Sequence, residues 1–549
     1  MARHASASAC SNLSTKSFSG WTSTGGRYCC IPGSSPTGAR SYTLNLLLPP
    51  EVRSQKTAME LALSQRLGAI APDLGLSTTS LERLQTEGSG PLLWEICRLV
   101  KADLTSDRVW LLFVGVAGLF PEPDEVRSLQ RQLELVATAQ VHRVVLSACR
   151  DSAIRYRSHL TTIRVVREQV LVDVNFSART GHNSGVQRVV RETARRWSVD
   201  VQPQFVVWTD NDRSFRDLTT AESDRLLAEG PILDGCPITA RTEIIVPVDC
   251  ILTMIEVPQR EECASLSALA EFSGNKLALV VHDMIPVVSG DMVSFAESDR
   301  FVEFLAVVKH ADRISGVSES AASEFQGFID SLSSQGLTGP VVTSVPLPID
   351  TPVAISRPGV SPNKDPLILC VGSEEPRKNH HAVLFAAEVL WREGLRFRLR
   401  FIGGGSASFI YAFDRDVKSL RRAGHTIEVL RNVGDDILLS SYREASFSVF
   451  PSLHEGFGLP VGESLALGLP VITSNFGSTA EIASDGGCLL VDPRDDLAIA
   501  SAMRTLLTDP ACLARLRAEA LARPRRTWDD FSRELWAELV LPILEKKNE

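Results

Sequence analysis

The chain has no apolar run near the ~20 residues that a membrane-spanning helix needs. Its best run, Val109 to Phe120, is far shorter and reads as a core strand. Behind Arg3 and His4 there is no apolar stretch of the kind that marks a secretory leader. None of the 11 cysteines forms a C-x-x-C pair, and their number is odd in a long chain, so neither a disulfide framework nor a structural zinc site is expected. Idle thiols fit a reducing compartment, and the expected location is cytoplasmic, with peripheral contact at the cytoplasmic membrane as an extension of that reading. There is no excess of basic residues either: the formal net charge is -9, which argues against a general nucleic-acid binder. No Asp-x-Asp motif suited to holding a metal stands out, and no resident metal or other cofactor is expected.

What is present is ample material for buried cores. With 549 residues and 44% hydrophobic content, two to four domains are expected at roughly 100–200 residues each. Residues 1–42, rich in Ser, Thr, Gly and Ala, read as a disordered extension or as sequence upstream of the true start. Residues 43–165 read as a separate, mostly helical module of unknown role, with helical spacing at Glu60–Leu67 and Pro123–Ala137. From about 166 the pattern becomes strand–helix alternation, first over 166–352 and again over 367–526. The proline-rich stretch between them, 353–366, reads as a linker. A closing helix, Trp528–Val540, lies within 527–549. The expected class is therefore α/β: two Rossmann-like, doubly wound domains facing a cleft, with ligands at the carboxyl ends of their strands.

Five segments carry chemistry. In Phe450–Val471 (FPSLHEGFGLPVGESLALGLPV) a strand ends, a loop with Glu455, Gly456, Phe457 and Gly458 follows, and a helix opens near Pro460. Glycines allow close backbone approach, free N–H groups at a helix start attract anions, and Glu455 and Glu463 can accept hydrogen bonds from sugar and ribose hydroxyls. In Val371–His381 (VGSEEPRKNHH) Arg377 and Lys378 stand just before a helix, where cations are unfavourable unless an anion joins them. Phe401–Ser406 (FIGGGS) leads a strand into a glycine loop. Gly181–Arg188 (GHNSGVQR) places Gly185 at a helix start, and Arg188, Arg191, Arg195 and Arg196 make a basic face suited to phosphates or to an anionic membrane surface, the last three equally to solvent. Val280–Pro286 (VVHDMIP) sets His282 and Asp283 directly after a strand, where a His can hydrogen-bond substrate hydroxyls and an Asp can serve as a cap.

At these residues the chain resembles glycosyltransferase family 4, a family of retaining enzymes with the GT-B fold. HEGFGLPVGESLALGLPV is similar to that family's E-x7-E region, and GSEEPRKNH, SGVQRVVRE and VVHDMIP resemble its mannosyl- and rhamnosyltransferase branch. The likeness covers about residues 168–545. It implies a nucleotide-sugar donor and a glycan or lipid-linked acceptor as partners, and no nucleic acid. It also implies catalytic or donor-contacting roles for His282, Glu455 and Lys378. Arg377 and Lys378 would neutralise the donor diphosphate, and Glu463 would bind ribose. Gly456, Phe457, Gly458 and Leu459 would offer backbone N–H groups, and Gly185 would approach the diphosphate. Where many members carry Arg after the first strand's glycine, this chain has Ser373. The implied chemistry is metal-independent transfer with retention, by front-face attack within closing domains, and the final helix is implied to cross back to the first domain. A GT-B epimerase and a non-catalytic nucleotide-sugar-binding scaffold are the rival readings.

Overall fold

A computed structural model describes residues 50–181, 184–227, 243–349 and 365–548. The extension 1–42 and nearly all of the linker expected at 353–366 lie outside the described residues, as do His182 and Asn183 of the first glycine loop.

The first sheet has nine strands: β1 Thr162–Arg167, β2 Val170–Asp173, β3 Gln204–Trp208, β4 Phe215–Asp217, β5 Glu243–Val248, β6 Ile251–Met254, β7 Lys276–Val281, β8 Arg313–Gly316 and β9 Val341–Ser344, in the order β1-β5-β4-β3-β2-β6-β7-β8-β9. Only β4 runs antiparallel to its neighbours. β1 passes into β2 through Glu168, and β5 into β6 through Asp249, both at positive φ (53° and 55°). Two kinked strands thus run side by side, pairing once as β1 with β5 and again as β2 with β6. β1 begins inside the stretch assigned from sequence to the helical module.

That module is not separate. Its helices, Pro50–Ile70, Thr78–Glu87, Ser89–Ala102, Ser106–Ala117, Pro123–Leu135 and Val141–Arg155, share one core with the sheet. Phe120 meets Trp208 and Phe215 edge-on, at centroid distances of 6.3 and 5.3 Å. Arg66, 3% exposed, donates to the carbonyls of Gly115, Val116, His159 and Thr161 and so ties helix to sheet. The apolar run Val109–Phe120, expected as a strand, belongs instead to the helix Ser106–Ala117, which stops at Gly118 in the left-handed region (φ 72°). Val109 through Ala117 are all buried, so the segment is apolar on every face. A fully buried helix then has no period that distinguishes it from a buried strand.

The second sheet has six parallel strands: β10 Leu367–Val371, β11 Arg398–Ile402, β12 Ile427–Leu430, β13 Phe447–Phe450, β14 Val471–Ser474 and β15 Cys488–Val491. Their order, β12-β11-β10-β13-β14-β15, reverses direction between β10 and β13. This is the doubly wound arrangement, and the crevice at the carboxyl ends of those two strands is where such sheets bind ligands. The segment Trp528–Leu535, continued by a π-helical turn at Trp536–Val540, returns to the first lobe. There Trp197 Nε1 donates to Ser532 O at 3.0 Å, and Trp197 packs on Trp536. Among the described residues no helix is long and apolar enough to cross a membrane.

Candidate functional site

The site lies at the reversal between β10 and β13. After β10 the chain makes a short 3-10 turn, Pro376–Lys378, and Asn379 enters the left-handed region (φ 57°) before the helix His380–Arg392. Asn379 Nδ2 donates to Pro451 O (3.3 Å) and Pro493 O (2.7 Å), and Leu453 N donates to Arg377 O (2.7 Å). The turn is thereby tied to the loop that follows β13.

This tie brings Arg377 and Lys378 onto one carboxylate. Lys378 Nζ lies 2.6 Å from Glu455 Oε1 and Arg377 Nη1 lies 3.0 Å from Glu455 Oε2. Burial would raise the Glu455 carboxyl, but the two cations outweigh it and hold the group below its ordinary value. Burial lowers Lys378, and Glu455 offsets this only in part. The two shifts pull in opposite senses on the shared proton. With two cations facing it Glu455 stays ionised, and an ionised Glu455 keeps the proton on Lys378. Lys378 also stands 5.1 Å from the centre of the Phe450 ring. Ser373 donates to Glu375 Oε1 (2.6 Å), while Arg377 Nε donates to Glu375 Oε2 (2.8 Å). Glu375 thus links Ser373 to the arginine four residues downstream.

The helix Leu459–Ala466 opens after Gly458, which sits at φ 103°. One face of it carries Glu463, whose two oxygens are taken separately: Arg188 Nη1 donates to Oε1 and Tyr442 OH to Oε2, each at 2.9 Å. Burial raises this carboxyl, and Arg188 and Tyr442 offset the effect only partly. Glu455 and Glu463 therefore belong to two neighbouring clusters. The sequence marks Arg188 as one of a basic face suited to phosphates, without a protein partner, and does not single out Tyr442. Nothing in the local pattern around Tyr442 marks it, since its meeting with Glu463 is made by tertiary packing.

The first lobe meets this loop closely. A Cβ at Gly456 would fall 2.2 Å from His282 O and 3.1 Å from Asp283 Cβ. Ser318 donates to Gly456 O at 2.6 Å, and a Cβ at Gly185 would come 2.9 Å from Leu459 Cδ1. Phe457 is buried in the core shared by the two lobes. His282 is 7% exposed; its Nε2 lies 2.8 Å from Ile255 O, so that nitrogen carries the proton and donates, and burial keeps the ring neutral. His454, beside Glu455, bridges the lobes by facing Ser289 through Nδ1 (2.8 Å) and Glu324 through Nε2 (2.7 Å). Its pKa is raised, because Glu324 outweighs the lowering by burial. The adjacency of a His to Glu455 was visible in the sequence, but its partners were not.

The glycine loop after β11 packs on the loop after β10. A Cβ at Gly403 would sit 1.9 Å from Gly372 O, and Glu374 N donates to Gly404 O at 2.6 Å. Among the described residues no group of three or more His, Cys, Asp or Glu is placed to hold a metal ion.

Residues 354–523 match the family model for Glycosyl transferases group 1. The chain is 25% identical over 345 residues to the serotype-specific mannosyltransferase WbdA of Escherichia coli, covering 58% of this chain and 40% of that protein. It is 34% identical over 166 residues to the O-antigen chain mannosyltransferase B of Escherichia coli, covering 30% of this chain and 42% of that protein. The chain thus spans less than half the length of either relative. Among solved structures, Anabaena Alr3699/HepE in complex with UDP and glucose superposes with a TM-score of 0.47 at 11% identity, covering 67% of this chain and 98% of that one. The resemblance drawn from the motifs holds at the level of the group 1 glycosyl transferases and of mannosyltransferase relatives.

Proposed function

We propose, taking the second lobe as a group 1 glycosyl transferase domain, that the protein moves a hexose from a nucleotide-sugar donor to a glycan or lipid-linked acceptor in polysaccharide or glycoconjugate assembly. The observation that carries this reading is the pair of cations, Lys378 and Arg377, gathered on Glu455 where the second sheet reverses. Mannose is the sugar favoured, on the strength of the two mannosyltransferase relatives.

The chemistry needs stabilisation of the nucleoside diphosphate as it departs. Lys378 and Arg377 are preorganised cations in a buried setting, and such groups act most strongly on charge that develops in the transition state. A phosphate arriving at the turn would draw them from Glu455, leaving that carboxylate free to accept from a sugar hydroxyl. Glu463 would take the ribose, and the backbone at Gly456–Leu459 the sugar and phosphate. His282, neutral and held through Nε2, would face the sugar near the reacting carbon. Its approach to Gly456 brings the first lobe against the donor loop, which supports exclusion of water on closure. No step calls on a resident metal, and retention of configuration belongs to the same proposal. A lipid-linked acceptor would bring the protein to the cytoplasmic membrane surface, which vesicle flotation would detect.

The test is thermal stabilisation by GDP-, UDP-, dTDP- and ADP-sugars, with and without EDTA, alongside Lys378→Ala and followed by turnover with acceptor. One donor should stabilise the wild type, persist in EDTA and fail with the variant. Binding without transfer or hydrolysis would favour the scaffold reading, and epimerised donor the epimerase.

A further inference from the structure

Arg188 reaches across from the first lobe to Glu463 on the second, 2.9 Å away. It rises from the first turn of the helix Gly185–Asp200, whose start faces Leu459. Its guanidinium lies 5.6 Å from the centre of the Trp528 ring. Arg188, Glu463 and Trp528 also line a small cavity with Ile349, Leu459 and Gly462. The other oxygen of Glu463 is taken by Tyr442. Each oxygen keeps a second acceptor site, but a ribose seated on Glu463 has to share the small space beside it with these two partners. Tyr442 is 1% exposed and comes from the same lobe as Glu463, whereas Arg188 belongs to the other lobe and has a long flexible side chain.

An arginine released from Glu463 in this half-buried cleft gains from meeting another anion, because its charge is partly withdrawn from water. The donor brings one: its diphosphate, whose oxygens suit the planar fork of a guanidinium. We propose that Arg188 changes partner when donor binds, leaving Glu463 to the ribose and moving to the diphosphate. It is a donor-binding residue supplied by the first lobe and held by Glu463 until the donor binds. The proposal rests on the reading of Glu463 and of the nucleotide site given above. It adds that lobe contact and donor binding share one side chain, so that closure over the diphosphate replaces the Arg188–Glu463 contact between the lobes.

The test compares a ligand with phosphates to one without. Calorimetric binding of GDP, UDP, dTDP and ADP, each beside its nucleoside, is measured for the wild type, Arg188→Gln and Arg188→Lys, with melting curves to establish folding. Loss of a charge-assisted contact should weaken diphosphate binding to Arg188→Gln by roughly tenfold to a hundredfold. Nucleoside binding should hold or tighten, since Glu463 is freed. Arg188→Lys should fall between, keeping charge without the fork. If Arg188→Gln weakens diphosphate and nucleoside equally, or neither, Arg188 does not move to the phosphates and the proposal is overturned while the donor site stands. If the wild type binds no diphosphate while folded, both the proposal and the underlying reading fail.

Discussion

Gly456 stands against the backbone of His282 so closely that a Cβ there would lie 2.2 Å from the His282 carbonyl oxygen. A carbonyl oxygen in a strand-end loop cannot yield as a side chain would. Gly456→Ala should therefore push the lobes apart at this point while each sheet persists. Turnover should fall at least about tenfold, the scale expected when reacting groups are displaced by an ångström. Gly185→Ala meets only the end of the Leu459 side chain, at 2.9 Å, and should cost less. Steady-state kinetics with far-UV circular dichroism checks both, and equal effects would remove the distinction.

Lys378→Ala should lower stability by about 3 kcal/mol or more, because it leaves a buried carboxylate with one of its two cations missing. Lys378→Met combined with Glu455→Gln removes both charges and should recover much of that loss without recovering donor binding. Urea denaturation read beside ligand-induced melting shifts separates the two. A double variant no more stable than Lys378→Ala would show that packing, not charge, sets the cost.

His380 makes the protein sensitive to acid. It is 4% exposed, packs near Phe401 and Phe413, and neither ring nitrogen has a hydrogen-bond partner. Burial, aided by Lys378, lowers its pKa to about 3. The unfolded chain then binds a proton below its ordinary 6.5 that the folded chain refuses. The contribution of this group is full above that value and is lost as pH falls towards 3. His380→Phe should be more stable than wild type at pH about 5 and should flatten the acid limb of a melting-temperature profile.

A buried set of carboxylates beside β2 and β6 works in the opposite sense. Burial raises Asp173 to about 6 and, with help from the Asp173 charge, Glu256 to about 7. Both accept hydrogen bonds, Asp173 from Asn175 N and Trp208 Nε1, and Glu256 from Phe176 N and from Ser177. Here the folded state holds protons that the unfolded state releases. Their contribution is most favourable below the ordinary carboxylate range and is lost as pH rises towards about 7. Glu256→Ala should show less loss of stability between pH about 5 and 7.5 than the wild type, measured as the difference between their denaturation midpoints.

Removal of the helices before β1 should prevent folding. They close one face of the first sheet, and Arg66 alone satisfies four carbonyls. Arg66→Ala should cost on the order of 3 kcal/mol. A chain starting at residue 158 should be recovered only as aggregate. If it proves monomeric and cooperatively folded, the shared core is dispensable.

Much of the second lobe was legible from its chain. The strand–helix alternation read over 367–526 is the one observed, from β10 through β15, and the helix read as opening near Pro460 opens at Leu459. These elements are amphipathic or bounded by glycine and proline, so local pattern and tertiary environment agree. Arg377 and Lys378 could be singled out because cations before a helix are unfavourable without an anion, and Glu455 because an acid in a glycine loop can accept from sugar hydroxyls. That they pair with one another is a matter of sheet order, which sets the carboxyl ends of β10 and β13 side by side. The same limit explains Tyr442 with Glu463 and His454 with Glu324: each pair is distant in the chain or lies across the lobes, and no local period encodes it.

The chain by itself determined the element types wherever one face was apolar and the other polar, and it determined which side chains carry charge into glycine-rich turns. Only the tertiary structure decided that Val109–Ala117 is a helix and that the leading helices belong to the first sheet's core. It alone also decided that Arg188 pairs with Glu463. The physical reason is common to all three. A segment buried on every side loses its periodic signature, and a contact between distant residues depends on how sheets and lobes are stacked, which short-range backbone preferences do not specify.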